Sequence, residues 1–369
     1  MTAFNFIKWN RILGWLAFSI ALVTYTLTVE PTVSFWDAGE YILTSSKLQV
    51  GHPPGAPLFQ MLGAFFSTFT FGNSEYLGMM MNMMSAVASA FTVLFMFWTI
   101  SMLLLKLSKY KSAPSNNKAI AILGSALVGS LAFTFTDSFW FNAVETEVYA
   151  MATLIMSVLF YLALRWERDM HQPRGNKWLI LIAFIIGLSF GVHFMGLLTI
   201  PAIGLIYYFK NYKDITPKNF ILANIISAAI LLFIFKLLLP STLKLFGNLE
   251  VFFVNSIGLP FNSGTIITGV LLIGLFYYGI SYTRKKGYVH INTLILCLLF
   301  IFIGFSSWMM LPIRANANVI INENNPSDAR ELLAYYNLEQ YPETHLFYGP
   351  LFTEIYSGQD ENEPFSVFR

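Results

Sequence analysis

Two carboxylates lie three positions apart in Trp36-Asp37-Ala38-Gly39-Glu40, and a histidine follows in Gly51-His52-Pro53-Pro54-Gly55-Ala56-Pro57. Residues three apart share a helix face, so Asp37 and Glu40 can serve one ligand. The same spacing is that of a capping box, with Asp37 capping and Glu40 reaching back, or with Ser34 as the cap. Three prolines and two glycines in seven residues exclude a helix and impose a shaped turn. Such a turn either joins two helices or presents His52 and backbone amides to an anion.

Further ionisable groups stand where an apolar chain tolerates few. Glu145 and Glu147 precede an apolar run; the helix dipole favours an acid there by about 0.3–1 kcal/mol, which accounts for Glu147. A second carboxylate at Glu145 adds repulsion unless a cation is near. His193, in Gly191-Val192-His193-Phe194-Met195-Gly196, falls near a membrane-helix end, where it serves a site or bonds a neighbouring carbonyl. Arg314 follows the last apolar run, either snorkelling or holding an anion. No paired-histidine helix, CxxC pair, phosphate loop or dinucleotide fingerprint is present. No ligand spacing demands a divalent metal, although the scattered His, Asp and Glu groups leave one conceivable. The Met-rich run at 79–84 is adaptable packing.

The elements that position these groups follow from composition. Hydrophobic residues make up 56% of the chain and charged ones 11%, against roughly 25% charged in a soluble domain, so the solvent is a bilayer. The net charge of +2 argues against a nucleic-acid partner, and the single cysteine, Cys297, excludes an internal disulfide. Runs near 12–29, 81–105, 119–137, 149–165, 178–192, 195–209, 219–239, 265–283 and 289–311 suggest about nine transmembrane helices. The first, preceded by Lys8 and Arg11, is too long for a cleavable signal. Segments 106–118, 165–177, 210–218 and 284–286 are basic, while alternate loops hold Glu30, Asp37, Glu40, Glu75, Asp137, Glu145 and Glu147. The positive-inside rule then places the N-terminus in the cytoplasm and the acidic loops outside.

Parity adds a constraint. Between Glu30, outside, and Lys106, inside, only 81–105 is a convincing span, so 58–71 should lie along the outer interface. The first outer loop therefore covers 30–80 and carries interfacial helices. A second outer loop is expected at 240–264, and a polar outer-side tail at 312–369 with a helix over 326–340 capped by Ser327. The tail closes on no structural element, so a longer protein is expected, of which this is the N-terminal portion.

The segments "WDAGEYI", "LQVGHPPGAPLF", "NMMSAVASA", "ETEVYA", "GVHFMGL" and "LPIRANAN…INENNPSD", in this order, resemble a bacterial (Bacteroidetes-type) membrane family related to the animal transmembrane protein O-mannosyltransferases, in the GT-C superfamily. The resemblance implies an all-α polytopic membrane enzyme of the bacterial inner membrane with a periplasmic site. It would move a hexose such as mannose from a polyprenyl-phosphate sugar to Ser or Thr hydroxyls of an exported acceptor protein. It implies an acidic catalytic residue in the first outer loop, matched by Asp37 first and Glu40 second. The chemistry then needs a base on the acceptor, with Glu40 or Glu145 orienting it, and donors for the departing phosphate, for which Arg314, His52 and Lys47 are candidates. Glu147 and His193 complete the expected substrate-binding set, and a groove beside 58–71 would hold the prenyl tail. Two other classes stay open: a transporter of a lipid-linked substrate, disfavoured by spans almost charge-free internally apart from Lys236, and a non-catalytic membrane subunit working with others in a secretion or surface-glycan assembly.

Overall fold

The computed structural model describes residues 5–108 and 114–342. Lys109 and Lys111 of the first basic loop, and the tail beyond 342, lie outside the described residues. Among those described, the regular elements are helices, and one parallel β-bridge joins Val50 to Asn322. The chain is an all-α polytopic membrane protein, as composition requires.

Helix α1 (Phe6–Leu27) begins at Asn5, whose side chain accepts from the Lys8 amide. Two short helices, α2 (Ala38–Ser46) and α3 (Pro57–Ser67), precede the long α4 (Leu77–Leu107). Then come α5 (Asn116–Thr134), α6 (Asp137–Ala143), α7 (Val148–Asp169), α8 (Lys177–Ser189) and α9 (Ile200–Asn211). Helices α10 (Pro217–Leu232) and α11 (Leu239–Val251) run on through a π-helical turn at Phe233–Leu238. Helices α12 (Ser263–Lys285), α13 (Val289–Phe305), α14 (Met310–Ala315) and α15 (Ala329–Asn337) complete the order.

Among the described residues, seven helices are long and apolar enough to cross a bilayer. The expected spans 178–192 and 195–209 are α8 and α9, of 13 and 12 residues. At 1.5 Å per residue each covers about 20 Å, short of the roughly 30 Å hydrocarbon core. They come as a consecutive pair, so counting them or not leaves the side of every other loop unchanged. Helix α3 has 11 residues and likewise cannot cross, matching the parity argument for 58–71. The expected outer loop at 240–264 is instead mostly helix, because the segment Pro217–Ser256 continues for 40 residues. The tail helix is capped by Asp328, which accepts from the Arg330 and Glu331 amides, rather than by Ser327.

In lipid, apolar side chains do not by themselves distinguish a packing face, so close helix approach depends on small residues. Ala17 and Ala21 of α1 meet Ala86 and Ala90 of α4, all fully buried. This explains the small-residue spacing in "NMMSAVASA". The α8–α13 crossing is tighter still: a Cβ on Gly187 would lie 2.2 Å from the Ile301 carbonyl oxygen, and one on Gly304 2.4 Å from that of Phe184. Gly187→Leu is therefore expected to lower stability by at least about 1–3 kcal/mol. Thermal unfolding in detergent checks this against Gly274→Leu on α12, where a Cβ meets nothing within 4 Å and no loss is expected.

Candidate functional site

The acidic loops are gathered by one buried amide. Asn82 of α4 donates to the carbonyls of Glu30 at 2.7 Å and Thr32 at 2.9 Å, and accepts from the Thr146 hydroxyl at 2.5 Å. The Glu30 amide in turn donates to the Val144 carbonyl. The loop after α1 and the loop before α7 are thus clamped together. Trp36 adopts φ +62°, a left-handed conformation unusual for a tryptophan, immediately before Asp37. Such strain persists only where surrounding contacts impose it.

Asp37 stands at the start of α2 but makes no side-chain cap. Glu40 does not reach back to it either. Its Oε1 accepts from the His52 amide at 2.6 Å and its Oε2 pairs with His52 Nδ1 at 2.8 Å. The capping-box alternative fails because the Pro-rich turn supplies Glu40 with better donors. Gly51 makes this approach possible, since a Cβ there would lie 2.5 Å from Glu40 Oε1. The other face of the imidazole looks at Asp37, with His52 Nε2 3.8 Å from Oδ2. Asp37 keeps a side chain 56% exposed, against 26% for both Glu40 and His52.

These contacts set the charges. Burial opposes the Glu40 anion, but hydrogen bonds from the His52 side chain and backbone outweigh it, so its pKa falls below the ordinary value. The hydrogen bond to Glu40 holds the His52 imidazolium, raising its pKa against the opposing effect of burial, with the Glu40, Asp37 and Glu323 charges adding to it. Glu147, at the start of α7, is buried, and its Oε1 has no hydrogen-bond partner. Desolvation, together with the charges of Asp37 and Glu145, pushes it up to about 7.

Asp37, Tyr41, His52, Glu147, Tyr149 and His193 line one cleft of about 140 Å³, walled by Phe190 and Phe194 and floored by Pro54 and Gly55. Among the described residues, no lysine or arginine lines it. His193 Nδ1 accepts from the Met195 amide, so the neutral ring carries its proton on Nε2 as a donor. Burial pushes its pKa down, and its ring packs against Tyr149 with centroids 5.4 Å apart. Among the described residues, no three His, Cys, Asp or Glu side chains are grouped to hold a metal ion.

The remaining candidates lie outside the cleft. Arg314, expected either to snorkel or to hold an anion, donates to the carbonyls of Lys47 and Leu48, just past the end of α2. A guanidinium satisfies orphan carbonyls at a helix C-terminus well, and that is its place here. Lys47 is exposed as the residue following α2, away from the lining. Glu145 is buried beside Glu147 but does not face the cavity, and burial raises its pKa. Asn82, Tyr41 and Tyr149 were not singled out from the sequence. Asn82 carried a usable signal, as a polar residue in an otherwise apolar span.

Residues 37–216 match the model of the family described as protein O-mannosyl-transferase TMEM260 N-terminal domain. Relatives of the chain carry the same name. It is similar to protein O-mannosyl-transferase tmem260 of Dictyostelium discoideum, 28% identical over 153 residues, which is 42% of this chain and 17% of that protein. It is also similar to protein O-mannosyl-transferase TMEM260 of Mus musculus, 28% identical over 173 residues, 47% of this chain and 22% of that protein. The matched region thus spans about a fifth of these relatives. No solved structure matches the chain. Every cleft residue named above lies within the matched segment.

The Glu147 environment has a measurable consequence. Folded, Glu147 keeps its proton up to about pH 7; unfolded, it loses it near the ordinary carboxylate value of 4.5. The folded state binds the extra proton between those limits, so stability falls as pH rises through that window. Glu147→Gln removes this loss while keeping the shape. Its Tm is expected to match the wild type near pH 4 and exceed it at pH 8; parallel Tm–pH curves would refute the assignment.

Proposed function

We propose that this chain carries the acceptor-activating part of a glycosyl-transfer site, moving a hexose such as mannose from a polyprenyl-phosphate donor to Ser or Thr hydroxyls of an exported protein. The observation that carries the proposal is the open Asp37 carboxylate, beside a histidine already held by a second carboxylate, over a cleft in the segment shared with protein O-mannosyl-transferases. A hydroxyl entering the cleft donates its proton to Asp37 as its oxygen bonds to the anomeric carbon. The bond from that carbon to the phosphate oxygen breaks, and the lipid phosphate leaves with the electron pair. A phosphate is a good leaving group and needs donors more than a general acid.

The division of labour follows from the contacts. Glu40 orients His52 and favours its cationic form. The imidazolium offsets the carboxylates, so an anionic donor can approach a cleft that has no lysine or arginine in its lining. The Nε2–H of neutral His193 suits a phosphate or sugar oxygen. Leu62 and Phe65 on α3, and Phe69 and Phe71 just beyond it, are exposed and form an apolar surface suited to a prenyl chain. The basic-loop pattern supports a cytoplasmic N-terminus and a site on the opposite, outer face of the membrane.

Asp37→Asn is expected to lower transfer to an acceptor peptide by about 10²–10⁴-fold, the usual worth of a general base, with unchanged expression and melting. The measurement uses the full-length protein in membranes with a radiolabelled polyprenyl-phosphate sugar. Undiminished glycosylation by the variant would sink the assignment.

A further inference from the structure

The matched segment ends at residue 216, yet the turn that bears His52 is held by residues more than a hundred positions later. After α14 the chain comes back to the outer end of α2. The Val50 amide donates to the Ile321 carbonyl at 3.0 Å, and the Glu323 amide donates to the Val50 carbonyl at 3.1 Å, forming the bridge between Val50 and Asn322. Gln49, almost fully buried, accepts the Ile321 amide through its side-chain oxygen at 2.6 Å. Helix α15 then places Tyr335, 1% exposed, with its hydroxyl donating to the Gly51 carbonyl at 2.5 Å.

The Tyr335 contact acts one residue from the histidine. The Gly51 carbonyl belongs to the same peptide unit as the His52 amide, and that amide is the donor to Glu40 Oε1. Holding the carbonyl end fixes the plane of the peptide, and so aims the N–H at the carboxylate. The second side of the turn closes on the same phenol: Gly55 has φ +62°, and a Cβ there would lie 2.7 Å from the Tyr335 hydroxyl. The tyrosine is itself seated against Trp308, while its neighbour Tyr336 donates to the Phe235 carbonyl and packs on Phe190 of the cleft wall. Burial raises the Tyr335 pKa, so the hydroxyl remains a donor across the working pH range.

We infer that Tyr335 is a positioning residue of the site, holding the Gly51–His52 peptide so that His52 pairs with Glu40 and faces Asp37, and that residues 316–337 are a functional wall behind the turn that bears His52. The functional half rests on the glycosyl-transfer reading; the positioning half does not. A buried tyrosine that only filled space would use its ring alone, and Tyr335→Phe keeps the ring.

The test compares wild-type protein with Tyr335→Phe and Gln49→Ala, which loosen the wall at its two ends, each in the full chain in detergent micelles. The pH dependence of His52 acylation by diethyl pyrocarbonate, followed by peptide mass spectrometry, reads the Glu40 pairing without any catalysis. Because pairing raises the His52 pKa, loosening it should move the labelling midpoint down, by about half a unit or more in either variant, with His290 labelling unchanged. Transfer rates should fall about tenfold, mainly in kcat, with little change in Tm. An unmoved His52 midpoint in both variants overturns the inference. A shifted midpoint with unchanged transfer keeps the positioning role and instead removes His52 from the reaction.

Discussion

The pairing of Glu40 with His52 is the contact on which the arrangement of the site depends. It ties a helix to a proline-rich turn twelve residues away, with one carboxylate accepting both the backbone and the ring N–H groups of a single histidine. Two charge-assisted hydrogen bonds in a half-buried place outweigh desolvation of the acid, which is why its pKa falls despite burial. With Glu40 so occupied, Asp37 is the carboxylate of that pair left open to a substrate. Remove the clasp and the histidine loses its orientation, while Asp37 loses its neighbouring cation.

Around that contact, the fold resolves a conflict between lipid and charge. Backbone groups in a bilayer must be satisfied internally, so the irregular segments 28–37, 47–56 and 190–193 are found at one end of the bundle. There they satisfy one another. Asn82 binds two loop carbonyls, Arg314 binds two more, and the Gly191 carbonyl accepts the first amides of α3 at 2.8 and 3.1 Å. Polar side chains that look like spare site residues in sequence are largely consumed in this bracing. Arg314 illustrates the principle, since orphan carbonyls at a helix end bind a guanidinium as well as an anion does.

Glu147 pulls the other way. It is buried next to Glu145 and near Asp37, with one oxygen unpartnered, an arrangement that costs stability at neutral pH. Groups kept in such an unfavourable state at a cleft are typical of functional sites, where a carboxyl near pH 7 can give or take a proton. Its place beside the exposed Asp37 gives the cleft two acids of different character from adjacent loops.

Much was legible in the sequence because its signals are local. Apolar length marked the bilayer solvent, charge alternation sorted the loops, parity kept 58–71 from crossing, and prolines and glycines gave the turn at His52 its shape. Asp37, Glu40, His52, Glu147 and His193 were singled out because ionisable groups are costly in such a chain, and they do meet. What the sequence could not decide is which polar group satisfies which. Whether Glu40 capped α2 or gripped His52 depended on a donor twelve residues on, and whether Arg314 faced a ligand or a helix end depended on a contact across 266 positions. The role of Tyr335 at Gly51 lay 284 positions away, where no periodicity or spacing carries information. Local pattern determines the elements and their solvent; hydrogen-bond partners between distant segments exist only once the helices have packed.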